Sequence, residues 1–173
     1  MVPEPLTAPR LHRPGPGTVP ALTALWTAVT RAGGAVGFVP DSTDEEIAAA
    51  AREVVDEVRA GRQELLTVGE PLAGVVFLRR GAGPRIAHRA DVLRLMVHPD
   101  RQGEGLGRVL LDAAVARGRE LGLDLLLLSA RGGTGLPAFY TRLGWTEVGV
   151  FPAALDLGPD DRRDEHWFQL RLG

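Results

Sequence analysis

Apolar and polar positions change period several times along the chain. Leu22, Leu25, Trp26 and Val29 recur at spacings of three and four, which predicts a helix over 21–31 that Gly33-Gly34 ends. Before it, Pro3, Pro5, Pro9, Pro14, Pro16 and Pro20 mark an extended stretch. Its first eight residues are expected to be a flexible Pro-rich N-terminus, followed by a short first strand at Arg10-Leu11-His12-Arg13. Gly37-Phe38-Val39 reads as a short extended piece. A second helical stripe follows in Ile47, Ala50, Ala51, Val54, Val55 and Val58, with Ser42 or Thr43 as its cap, Glu45 and Glu46 in its first turn, and Gly61 as its stop.

The period then shortens. Segments 64–68 and 72–79 read as the two strands of a hairpin around Gly69-Glu70-Pro71. Segment 88–97 is a long central strand rich in β-formers. Leu106, Val109, Leu110 and Ala113 restore a helical pattern to about Leu121. The run Leu125-Leu126-Leu127-Leu128 predicts a strand over 124–129 covered on both faces. A short helix over 136–143, a strand over 145–151, a polar loop over 158–165 and a last strand over 166–172 complete the order β-α-α-β-β-β-α-β-α-β-β. That order predicts an α/β (α+β) mixed sheet flanked by helices.

Between the central strand and the third helix lies Val97-His98-Pro99-Asp100-Arg101-Gln102-Gly103-Glu104-Gly105-Leu106-Gly107-Arg108. Pro99 stops the strand, and three glycines follow at alternate positions. The first amides of a helix lack intrahelical partners and carry partial positive charge, and glycine lets an anion approach the backbone. The stretch is suited to a phosphate or pyrophosphate. It is not a Walker loop, because Arg108-Val109 stand where Lys and Ser/Thr are required. Nor does its G-x-G-x-G spacing match the dinucleotide fingerprint.

Composition narrows the chemistry. With 173 residues and 45% hydrophobic content, the chain suits one domain, 1–173, with one core. The formal net charge of −2 and the lack of a basic patch with interleaved aromatics argue against a nucleic-acid partner. The absence of cysteine excludes disulfides, thiolate metal sites and a Cys nucleophile. His12, His88, His98 and His166 show no metal-ligand spacing, so no metal is expected. No apolar run reaches transmembrane length and no signal peptide is evident; a cytoplasmic protein without membrane association is the expectation.

Gln102-x-x-Gly105-x-Gly107 resembles the acyl-CoA loop of the Gcn5-related N-acetyltransferase (GNAT) family, and Pro137-Ala138-Phe139-Tyr140-Thr141-Arg142-Leu143-Gly144-Trp145 resembles the family's Ala-x-x-Phe-Tyr-x-x-x-Gly-Phe segment. The two stand in the family's order, and the likeness covers about residues 64–151. A narrower likeness, carried by Gly33–Phe38, His88–Val97 and Val148–Pro152, is to the tabtoxin-resistance branch, whose members acetylate an amino-acid-like β-lactam toxin. The chain departs from that branch at Asp91, where the branch has Glu, and at Ser129-Ala130, where it has Asp-Thr. Arg131 stands where the branch has an acidic or polar residue.

The resemblance implies the acyl-CoA N-acyltransferase fold, with a mostly antiparallel mixed sheet. It also implies acetyl-CoA as co-substrate and the primary amine of a small molecule, amino-acid-like or antibiotic-like, as acceptor. Homodimers occur in the family. The implied cofactor-binding residues are Leu95, Met96 and Val97 through their backbone, Gln102, Gly103, Glu104, Gly105, Leu106, Gly107 and Arg108 in the loop, and Thr134 and Phe139 further on. Arg101 and Arg108 either reach phosphates or are solvated. Tyr140, the one tyrosine, is either the acid that protonates the departing thiolate or an aromatic packed on the sheet. Asp91 is either the base or substrate anchor, or a surface carboxylate paired with Arg89 or Arg94. Two rival readings are a protein or peptide N-acetyltransferase and a non-catalytic acyl-CoA-binding module.

Overall fold

The computed structural model describes residues 8–173. The flexible Pro-rich N-terminus expected over 1–8 lies almost entirely outside the described residues. In chain order the elements are β1 (Arg10–Leu11), α1 (Thr18–Arg31), α2 (Asp44–Arg59), β2 (Gln63–Val68), β3 (Gly74–Arg80), β4 (Arg89–Val97), α3 (Leu106–Glu120), β5 (Leu125–Arg131), α4 (Leu136–Arg142), β6 (Thr146–Asp156) and β7 (Arg162–Arg171). The strands form one seven-stranded sheet in the order β1-β2-β3-β4-β5-β7-β6. β4 and β5 pair in parallel, whereas β1–β2, β5–β7 and β6–β7 pair antiparallel, giving the mixed sheet expected.

Residues divide into two compact units. The first comprises the chain up to Leu78 together with Arg94–Ala114. In it α1 buries Leu22, Leu25, Trp26 and Val29, and α2 buries Ile47, Ala51, Val54 and Val55, as their periodicity predicts. α1 begins at Thr18, three residues before the predicted start. The prolines that suggested extended chain include Pro20 in the helix's first turn, where a missing N–H costs nothing. Thr43, of the two candidates, caps α2 in a capping box with Glu46. Gly37-Phe38-Val39 forms no strand; Trp26 anchors this loop by donating its indole N–H to the Val36 carbonyl at 3.0 Å and meeting Phe38 edge-on.

The second unit comprises Arg79–Leu93 and Val115–Gly173. Here β5 is covered on one face only. Leu126, Leu128 and Ala130 are buried, while Leu125, Leu127, Ser129 and Arg131 are at least partly exposed. The unbroken leucine run concealed this alternation. The final hairpin is also longer than expected: β6 extends to Asp156, beyond the predicted end at 151, and β7 starts at Arg162, so half of the predicted polar loop is strand. Hydrophobic alternation cannot reveal these strand ends, because every residue of β6 except Leu155 is exposed.

Register assigns the faces of this unit. Ala90, Leu126 and Leu170 form one cross-strand row, with Leu128 and Phe168 alongside, and these residues line the packed face. Asp91, Leu127 and Gln169 form the next row, on the opposite face.

Candidate acyl-CoA and amine sites

In the first unit, β4 ends at Val97 and a single 3₁₀ turn over Pro99–Arg101 follows. The His98 amide donates to the Ala73 carbonyl, tying the strand end to the segment entering β3. Gln102 donates its side-chain amide to the Val97 carbonyl at 3.2 Å, which folds the loop back on the strand. Arg101 grips both Glu104 carboxylate oxygens through its Nε. Glu104 is thereby neutralised rather than left to repel a phosphate. Gly103 and Gly105 take φ of +83° and +82°, a left-handed conformation that side chains resist, and beyond their chain neighbours no atom of the described residues lies within 4 Å of where a Cβ would sit on either. The cradle is open on that side.

The Val109 amide makes the helical bond to the Gly105 carbonyl, so the preceding amides at the start of α3 lie ahead of the intrahelical ladder. The first turn of α3 carries no acidic residue. Arg108 is mostly exposed and sits 3.7 Å from Asp112, a loose pair that leaves its guanidinium able to turn to a phosphate. Met96 is buried, whereas Leu95 and Val97 are half-buried on the other side of the strand. Arg94, just before them, has φ +50°, which kinks β4 in mid-strand. These residues, Leu95–Val97 and Gln102–Arg108, lie together in the first unit, and they fit a pyrophosphate and its pantetheine arm.

Asp91, Thr134, Phe139 and Tyr140 lie in the second unit. Asp91 occupies the last pair of the β4–β5 ladder, opposite Leu127. Its carboxylate accepts from Arg79 at 2.9 Å. The salt-bridge partner expected was Arg89 or Arg94; it is Arg79, brought alongside by the β3–β4 hairpin, and only the strand pairing could have pointed to it. Thr134 spends its hydroxyl on the turn before α4, donating to the Arg131 carbonyl and accepting from the Leu136 amide.

Tyr140 is buried on the packed face. Its ring meets Phe139 and Trp145 edge-on and lies 5.7 Å from Phe168. Since Phe168 belongs to the row of Leu128, the phenol and Asp91 stand on opposite faces of the strands. Burial pushes the phenol up to about 12.

This shift has a measurable consequence. The chain contains no lysine or cysteine and one tyrosine, so Tyr140 is the sole side chain that titrates between about pH 9 and 12. Its folded value lies above the unfolded value of about 10, so the associated stability is complete below pH 10 and is lost as pH rises towards 12. Urea unfolding should show about 2–3 kcal/mol less stability at the top of this window. Tyr140→Phe should remove that alkaline loss, and an identical pH slope in the variant would contradict the burial.

Comparison with known proteins agrees with this architecture. Residues 62–147 match the family model described as an acetyltransferase (GNAT) domain. Over 70 residues the chain is 40% identical to a mycothiol acetyltransferase of Propionibacterium freudenreichii subsp. shermanii, a match covering 38% of this chain. The chain spans about a fifth (22%) of that curated relative's length. Among solved structures, the ribosomal-protein-alanine N-acetyltransferase of Brucella melitensis superposes with a TM-score of 0.76 at 17% identity, covering 94% of this chain and 99% of that one. YncA of Salmonella typhimurium, solved with its cofactor acetyl-CoA, superposes with a TM-score of 0.73 at 18% identity, covering 96% and 95%. The sheet order, the strand–glycine loop–helix passage and the superpositions give this chain the acyl-CoA N-acyltransferase fold, with residues 62–147 similar to the GNAT acetyltransferase domain.

Proposed function

We propose that this protein transfers the acetyl group of acetyl-CoA to the primary amine of a small molecule by direct attack. The observation that carries the reading is the open glycine cradle at the end of β4, with the uncommitted amides of α3 behind it. Acetyl-CoA supplies an activated acetyl thioester. The loop amides of Gln102–Gly107 hold its pyrophosphate, with Arg101 and Arg108 near the phosphates, and the backbone of Leu95–Val97 pairs with the pantetheine arm as an added strand does. The family likeness also assigns Thr134 and Phe139 to the cofactor. The narrower likeness to the tabtoxin-resistance branch favours an amino-acid-like or antibiotic-like acceptor, acetylated in the cytoplasm.

Two protons must move. The acceptor enters as an ammonium with a pKa near 10 and must lose one before its nitrogen can attack. Asp91 takes it, directly or through water, or holds the ammonium beside its exchange partner. The C–N bond forms as the C–S bond breaks, and Tyr140 donates its phenolic proton to the departing sulfur. No covalent enzyme intermediate is needed, since the chain has no cysteine and the amine attacks directly.

Asp91→Asn tests the division of roles. It should leave the thermal shift produced by acetyl-CoA intact and lower turnover, most strongly at pH values well below the acceptor's pKa. An equal loss of acetyl-CoA binding would make Asp91 structural, through its pair with Arg79. A second reading, transfer to a protein N-terminus, is favoured by the likeness to the Brucella enzyme. Turnover of peptides with negligible turnover of small amines would establish it instead.

A further inference from the structure

Independently of the acetyl-transfer reading, we propose that the first unit holds a site for an amphipathic monocarboxylate, in the cavity bounded by β1, the start of α1 and the β2–β3 turn. The cavity measures about 420 Å³, within the span of about 300–1,000 Å³ usual for small-molecule sites. None of its lining residues belongs to the glycine loop or to Leu95–Val97. Local sequence opens it. β1 is only two residues long, pairing Arg10 with Thr67 and Leu11 with Leu66. The chain then leaves the sheet over residues 12–17, where Pro14 and Pro16 have no N–H to continue the ladder. Thr18 fastens this corner to α1: its hydroxyl oxygen accepts from the Gly15 amide at 2.9 Å and lies 2.8 Å from the His12 Nε2. The cavity lies inside the corner.

Its lining divides in two. One part is apolar: Leu22 of α1, Leu65 of β2 and Val75 of β3, all buried, with half-buried Leu72 from the turn. Water against such a surface finds few hydrogen-bond partners, so an apolar group is favoured there. The other part is cationic. Arg10 and Arg13 line it, and both are exposed. The one acidic lining residue, Glu70, is paired with Arg10 at 3.1 Å. Arg13 makes no ion pair among the described residues.

The charge balance selects the ligand. Burial, and then the Arg10 charge, lower the His12 pKa, with Glu70 offsetting part of this, so the ring is neutral at pH 7. Two guanidiniums then face one carboxylate, and the first turn of α1 carries no acidic residue to alter the balance. A single surplus positive charge beside an apolar surface suits a monoanion with an apolar body. A carboxylate also matches the fork of a guanidinium. An amine would meet like charge, and a polyphosphate would leave most of its charge unmatched.

The probe is octanoate, with octanamide and octylamine as its neutral and cationic counterparts. Calorimetric titration should show octanoate binding saturably at one site. Its affinity should exceed that of octanamide by about tenfold or more, the size expected of a charge-assisted hydrogen bond. Octylamine should not bind. Arg13→Glu should bring octanoate down to the octanamide level or below. Ala21→Trp, at an exposed position of α1 that lines the cavity, should fill it and abolish binding of both. Neither parent side chain is buried, so both variants should melt near their parent, which the thermal midpoint checks. Saturating acetyl-CoA should leave octanoate affinity unchanged. Absence of saturable binding at millimolar octanoate, equal affinity for octanoate and octanamide, or an affinity untouched in both variants would overturn the proposal. Displacement of octanoate by acetyl-CoA would overturn it too, by making the cavity part of the acyl-CoA site.

Discussion

Replacing Tyr140 by Phe should lower the single-turnover rate of acetyl transfer by about a hundredfold to ten-thousandfold, the usual contribution of a positioned general acid. Acetyl-CoA affinity and thermal stability at neutral pH should be nearly unchanged. Phe retains the ring that meets Phe139, Trp145 and Phe168 and removes only the hydroxyl. The burial that raises the phenol to about 12 makes it a weak acid towards a thiol of about 8.5. Complete proton transfer from the phenol to the departed thiolate would run uphill by about 5 kcal/mol. In the proposed reaction Tyr140 therefore hydrogen-bonds to the sulfur as negative charge develops, and gives up its proton only as water replaces it. It follows that the defect should shrink for acyl donors with a more acidic leaving thiol. Single-turnover measurement is required, because slow product release could hide the chemical step. An unchanged single-turnover rate would leave the phenol a packing residue.

Gly105→Glu should abolish acetyl-CoA binding. In the unaltered protein, ligand at about a hundredfold over its dissociation constant should add roughly 2.7 kcal/mol of stability. The variant should show no shift. Two effects combine. A non-glycine residue at φ +82° is strained by about 1–2 kcal/mol, and the new carboxylate projects into the cradle that the phosphates would enter. Because beyond its chain neighbours no atom of the described residues lies within 4 Å of the new Cβ, the fold itself meets no clash. The ligand-free variant should therefore melt only slightly earlier than its parent. Retention of the acetyl-CoA shift would remove the phosphate from this loop.

The sequence made legible those parts of the fold and the site that are coded locally. The helical stripes of α1 and α2, the capping box at Thr43 and the glycine loop with its adjoining strand and helix are each written in neighbouring residues. The burial of Tyr140 follows from Phe139 and Trp145 beside it. What stayed hidden depends on strand pairing. Arg79 meets Asp91 only because β3 and β4 form a hairpin. The one-sided covering of β5 was obscured because leucine occupies both faces. The length of the last hairpin was obscured because an edge strand exposed along nearly its whole length needs no apolar alternation.

The most direct test of acetyl transfer is a paired measurement on one reaction mixture of protein, acetyl-CoA and a panel of primary amines. Thiol release is followed with a chromogenic disulfide, and the acceptor is weighed by mass spectrometry. The protein contributes no thiol of its own, since it contains no cysteine. The predicted result is one thiol released for each acceptor molecule that gains an acetyl group on nitrogen, with both signals lost in Gly105→Glu. Protein that is stabilised by acetyl-CoA yet yields neither free thiol nor an acetylated acceptor with any small amine or peptide would contradict the account and make the domain an acyl-CoA-binding module.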